Sequence, residues 1–130
     1  MTTDIPLISI VDDDDTVRAA TQSLVRSLGF ETRTFASAES FLQSSSPEET
    51  RCLILDVQMP NMSGIELQDR LSELGFKIPI IFATAYPDEA IRQRAMEAGA
   101  VAFLLKPVDG QRFIDLFETL KQERDRPIAT

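Results

Sequence analysis

The chain has 130 residues, 43% apolar and 26% charged, which fits one domain that can bury a core without disulfides or a structural metal. Its formal net charge is −8 and it contains no histidine; this argues against direct nucleic-acid binding and excludes a phosphohistidine donor, a histidine-based triad and histidine metal sites. Cys52 is the one cysteine, so no intrachain disulfide or cysteine-held metal cluster is available, and a reducing, cytoplasmic setting is expected. Residues 1–6 hold no basic stretch and no long apolar run, and no window approaches transmembrane length, so neither a signal peptide nor a membrane is expected.

In chain order, Leu7 to Val11 is a short, mostly apolar run that stops at Asp12, Asp13, Asp14 and Asp15. Such a run suits a strand buried on both faces of a parallel sheet. Val17, Ala20, Leu24, Val25 and Leu28 recur at helical spacing, with Asp14 or Asp15 to cap the helix and Gly29 to end it. Glu31 to Phe35 reads as a second strand, Ser37 to Leu42 as a short helix, and Ser44 to Pro47 as a solvated loop. Cys52 to Val57 is an apolar run carrying Asp56; Gly64 then opens an amphipathic stretch, Ile65, Leu67, Leu71 and Leu74, that stops at Gly75. Ile78 to Ala83 leads into Thr84, Asp88 to Ala98 is a fourth helix ended by Gly99, and Val101 to Leu105 leads into Lys106 and Pro107. Phe113, Leu116, Phe117 and Leu120 line one face of a fifth helix, and the residues from about Glu123 have the look of a frayed tail. One domain over 1–130 with a core of about 6–122 follows.

Five strand–helix alternations imply an α/β fold: a doubly wound, five-stranded parallel sheet with helices on both faces. In such sheets function gathers at the C-terminal edge of the strands. Asp12, Asp13, Asp56, Thr84 and Lys106 all fall there, delivering three acids, a hydroxyl and an ammonium from four separate segments. Clustered carboxylates without cysteine or histidine suit a hard cation such as Mg²⁺, which prefers a few protein oxygens plus water and phosphate. A carboxylate can attack phosphorus to form an acyl phosphate, while a cation and Lys106 neutralise the incoming charge and Thr84 donates a hydrogen bond. Cys52 is expected in the core, and Met59 and Met62 are expected to pack beside the Pro60 turn.

The segments Val11-Asp12-Asp13-Asp14, Leu55 to Gly64, Phe82-Ala83-Thr84-Ala85 and Phe103-Leu104-Leu105-Lys106-Pro107 resemble those of the response-regulator receiver domains of two-component systems. Thr34 to Glu39 and Arg94 to Ala100 are most similar to the FixJ-like branch. The resemblance implies the flavodoxin-like receiver fold and a phosphorylation switch rather than an enzyme acting on a separate substrate. It implies Asp56 as phospho-acceptor, with a histidine kinase as phosphodonor. Asp13 would bind Mg²⁺ directly, Asp12 through water or hydrogen bonds, and Gln58 through its backbone carbonyl. Thr84 and Lys106 would bind the phosphoryl group, Phe103 would be the aromatic that turns inward, and Gln58 and Tyr86 would tune the lifetime of the acyl phosphate. A cis bond between Lys106 and Pro107 is also implied.

Leu105, Val108 and Ala102 depart from the FixJ-like pattern, where an acid, a phenylalanine and an aspartate are frequent. All three lie near the expected output surface, not the phosphorylation site. Val101, Phe103 and Leu105 are expected to share one face of an edge strand, forming with the fourth helix a surface for dimerisation or a protein target. A haloacid-dehalogenase-type phosphatase is the competing assignment, but the general acid it needs two residues after the nucleophile is replaced by Gln58. A DNA-binding regulator would need a helix-turn-helix segment, and nothing after Lys121 has that pattern.

Overall fold

The computed structural model describes residues 5–125, with side chains described as far as Leu120. The elements in order are β1 (Leu7–Val11), α1 (Asp15–Ser27), β2 (Glu31–Phe35), α2 (Ala38–Gln43), α3 (Ser46–Glu49), β3 (Cys52–Leu55), α4 (Gly64–Glu73), β4 (Ile80–Thr84), α5 (Glu89–Glu97), β5 (Ala102–Leu105) and α6 (Gly110–Asp125). All strand pairs are parallel, in the order β2-β1-β3-β4-β5. β1, β3 and β4 lie inside the sheet and are buried along their whole length, which is why they read as continuous apolar runs. The edge strands are more mixed, with β2 largely half-buried.

Alternation along each strand divides the core into two clusters. On one face Val11, Leu53, Leu55 and Phe82 pack with Phe41 of α2, Leu67 and Leu71 of α4 and Ala95 of α5. On the other, Ile8, Ile10, Ile54 and Ile81 pack with Val25 of α1 and Phe113 and Phe117 of α6. Each fully buried side chain of this size stabilises the fold by about 1.5–3 kcal/mol relative to exposure. Cys52 is buried in the second cluster, and burial pushes its thiol up to about 12.

The helix ends follow the local chemistry. Asp14 caps α1, accepting from the Thr16 and Val17 amides at 2.9 and 3.1 Å, and Asp88 caps α5 in the same way. Ser63 and Glu66 form a reciprocal capping box at the start of α4. Gly29, Gly75 and Gly99 follow α1, α4 and α5 with φ of 98°, 85° and 104°, a conformation that lets the chain leave a helix without a Cβ clash.

Several expected boundaries shift. The Ser44–Pro47 loop is partly helical: Pro47 sits in the first turn of α3, where its ring is tolerated, and Glu48 and Glu49 favour a helix N-terminus. Ser46 is buried rather than solvated; its carbonyl accepts from Thr50 Oγ1 at 2.6 Å, and Thr50 Oγ1 lies 2.6 Å from Ser9 Oγ. This extra turn makes the expected fourth and fifth helices α5 and α6. β3 stops at Leu55, β4 begins at Ile80 just after Pro79, and β5 begins at Ala102. Of the tail expected from about Glu123, helix α6 takes in residues to Asp125, and 126–130 lie outside the described residues. Among the described residues no helix is long and apolar enough to cross a membrane.

Candidate functional site

The strand order reverses direction between β1 and β3, and the loops leaving these two neighbours open a crevice at the C-terminal edge. Asp12 follows β1 and is only 5% exposed. Each of its polar atoms is engaged: the amide donates to Phe35 O at 3.1 Å, Oδ1 accepts from the Asp14 amide at 2.9 Å, Oδ2 accepts from Lys106 Nζ at 2.6 Å, and the carbonyl accepts from Arg18 Nη1 at 2.8 Å. Asp13 is exposed at the mouth. Asp56 follows β3, 9% exposed, and its amide donates to Val11 O at 3.0 Å, which fastens it beside the end of β1.

Lys106 follows β5 and its amide closes the ladder onto Thr84 O at 2.8 Å. Its side chain crosses the top of β4 and sets the ammonium 2.6 Å from Asp12 and 3.5 Å from Asp56. Thr84 is buried, and its hydroxyl accepts from the Tyr86 amide at 3.1 Å and donates to the Tyr86 carbonyl at 3.3 Å. The hydroxyl thus grips the loop leading into α5. The Lys106–Pro107 bond is cis, as the resemblance implied.

One carboxylate oxygen from each of Asp12, Asp13 and Asp56 lies within 4.8 Å of the others. An all-oxygen set of this size, two members buried and one open to solvent, fits a hard divalent cation that keeps part of its water shell. Burial pushes the Asp56 carboxyl above the usual aspartate range; the Lys106 ammonium pulls it back, and the Asp12 carboxylate pushes it up again. The site is therefore an acidic, partly desolvated pocket with one fixed ammonium against two of its three acids.

Residues 8–118 match the response regulator receiver domain. The chain belongs to this family. Nodulation protein W of Bradyrhizobium diazoefficiens is 42% identical over 120 residues, covering 92% of this chain and 52% of that protein. Among solved structures, response regulator StyR superposes with a TM-score of 0.82 at 46% identity, covering 93% of this chain and 63% of that one. The FixJ-N crystal structure superposes with a TM-score of 0.80 at 32% identity, covering 98% and 100%. Relatives named FixJ place the chain near the FixJ-like regulators. The chain spans about half the length of the curated relatives it matches.

In this receiver domain the expected residues are distributed as follows. Asp12, Asp13, Asp56 and Lys106 converge; Thr84 lies at the same edge with its hydroxyl turned to the Tyr86 backbone. Gln58 and Tyr86 are exposed beyond the strand ends, Tyr86 by 69%. Phe103 is half-buried, its ring 5.9 Å from that of Phe82. Leu105 is 57% exposed. Val101 does not share the face of Phe103. It precedes β5 at a bend and packs with the second cluster, whereas Phe103 packs with the first, because the alternation starts only at Ala102. Ala102 and Leu104 point to the second cluster as expected.

Two features of the site were not visible as such in the sequence. Gly64 presses on the loop after β3: its amide donates to Val57 O at 2.8 Å, and a Cβ there would lie 2.1 Å from Asp56 O. Arg18 holds the Asp12 carbonyl. The available signal was its position, a cation in the opening turns of a helix, where the dipole disfavours it.

Proposed function

We propose that this domain is a phosphorylation switch in which Asp56 takes a phosphoryl group from a histidine kinase in the presence of Mg²⁺. The convergence of Asp12, Asp13 and Asp56 under the Lys106 ammonium is the observation that supports it most directly. Asp13, Asp12, Asp56 and the Gln58 carbonyl would hold the cation, which supplies positive charge for the phosphoryl oxygens. An Asp56 carboxylate oxygen forms the new bond to phosphorus as the bond from phosphorus to the donor nitrogen breaks. Lys106 neutralises charge on the transferred group and Thr84 donates its hydroxyl proton to a phosphoryl oxygen. That last contact requires the hydroxyl to leave the Tyr86 backbone, which couples the site to the loop before α5. Phe103 then turns toward the space vacated behind Thr84, and the surface of α5 and β5 changes shape to control dimerisation or a protein target.

The only reaction assigned is the domain's own phosphorylation and dephosphorylation. Gln58 and Tyr86, both exposed near the pocket, would tune the lifetime of the acyl phosphate by controlling water. We place the domain in the cytoplasm, consistent with one unpaired, buried cysteine. A net charge of −8 opposes direct contact with nucleic acid. The whole chain, with its core at about 6–122, would serve as one receiver domain. Incubation with acetyl phosphate and Mg²⁺ should add one base-labile phosphoryl group, counted by intact-mass spectrometry, and Asp56→Asn should remain unmodified. Equal labelling of Asp56→Asn would refute the assignment.

A further inference from the structure

Arg18 is the fourth residue of α1, close to the positive end of the helix dipole, an unfavourable place for a cation. It is nevertheless folded inward, with its side chain only 19% exposed. Nη1 donates to the Asp12 carbonyl at 2.8 Å and Nη2 to the Asp15 carboxylate at 2.5 Å. The guanidinium therefore bridges the acidic loop from its first member to its last. Between the two anchors, Asp14 is exposed but committed to capping α1, and Asp13 is exposed at the mouth of the pocket. The Asp12 side chain and amide are held by Lys106, Asp14 and Phe35 whether or not Arg18 is present. What Arg18 adds is a hold on the Asp12 carbonyl. Because the peptide group is planar, that hold fixes the plane linking Asp12 to Asp13, and with it the Asp13 Cα from which the side chain leaves the backbone.

We propose that Arg18 is a positioning residue for the divalent-cation site: by clamping the acidic loop it aims the Asp13 carboxylate at the pocket shared with Asp12 and Asp56. This rests on the metal role proposed above for those three acids. A second physical effect of the same residue has the opposite sign. A guanidinium beside an acidic pocket repels a cation, so charge alone predicts tighter Mg²⁺ binding once Arg18 is removed. The two effects move the affinity in opposite directions, so the sign of the change on removing Arg18 decides between them.

Isothermal calorimetry with MgCl₂ on the full chain, Arg18→Ala, Arg18→Lys and Asp13→Ala tests this, with urea unfolding in EDTA to confirm that each variant is folded. Arg18→Ala should bind Mg²⁺ about tenfold more weakly, the usual cost of losing an outer-shell partner. Arg18→Lys should not restore affinity, because an ammonium lacks the planar fork that reaches both acceptors. Tighter binding by Arg18→Ala would make Arg18 an electrostatic brake, and unchanged affinity would reduce it to helix packing; either result overturns the proposal. Asp13→Ala separates the layers. If it loses Mg²⁺ while Arg18→Ala binds normally, only the positioning role fails. If it binds like the parent, the metal assignment fails and this proposal with it.

Discussion

Asp56 stands at the end of a strand that is buried along its whole length, and its charge there carries a desolvation cost that Lys106 only partly offsets. Because the folded-state carboxyl is raised above its unfolded value, its contribution to stability is fully present below the unfolded value and is lost as pH rises through the folded one. Above its raised folded-state value, the ionised Asp56 thus works against the fold. Asp56→Asn should raise stability at pH 7 by about 1 kcal/mol, ~4 °C in Tm for a domain of this size, and the gain should vanish in acid below the ordinary aspartate range. Lys106 stays paired with Asp12 at 2.6 Å in that variant, so no ammonium is orphaned. Thermal melts across pH 3–8 read this directly, and a gain independent of pH would assign it to something other than charge. The acids were legible in the sequence because buried charge at the end of an apolar run is conspicuous. The Arg18 clamp was not, because a hydrogen bond to a carbonyl six residues back depends on how the loop turns, which residue types do not encode.

At the scale of elements, the central strands and the helices closed by glycine were legible because each relies on a local rule: a doubly buried strand has no polar alternation, and a left-handed exit favours glycine. The turn α3 and the true start of β5 escaped the same rules. α3 is a single turn held by Thr50 and Ser9 from outside it, and β5 begins where Ile81 finds a partner in Ala102, a matter of pairing rather than of composition. Gly64 shows an element packed against a site without spare room. With a Cβ 2.1 Å from the Asp56 carbonyl, Gly64→Ala must push α4 and the loop carrying Asp56 apart. The expected cost is about 2 kcal/mol, within the range for overpacking, together with slower phosphorylation of Asp56 by acetyl phosphate. Denaturant unfolding and labelling kinetics on the same sample would separate the two effects; a loss of stability with an unchanged rate would show that the loop geometry survives the shift.

For the whole molecule, the order β2-β1-β3-β4-β5 places the pocket at the β1–β3 boundary and leaves β5 as an edge, two strands away from the strand that ends at Asp56. Between them lies β4, whose terminal Thr84 grips the Tyr86 loop with its hydroxyl. The surface at that far edge is narrower than alternation alone suggested. Val101 belongs to the other core cluster, so Phe103, Leu105 and the neighbouring α5 remain. α5 is suited to move, since Ala95 is its one buried residue, whereas α4 buries five. Leu105 is 57% exposed on this edge, so more than half of its apolar side chain is left to solvent. If phosphorylation assembles two copies or docks a target here, Leu105→Glu should leave stability and Asp56 labelling intact and weaken the phosphorylation-dependent complex about tenfold or more, ~1.4 kcal/mol. The net charge distinguishes the two outcomes. Two copies of a −8 chain repel at long range, so self-association should strengthen as salt rises from 20 to 200 mM, as the Debye length shrinks from about 20 Å to under 10 Å. Docking to a basic target should weaken over the same range. Sedimentation with and without acetyl phosphate, in both salts, measures each, and a phosphorylation-dependent complex untouched by Leu105→Glu would remove this edge from the output surface.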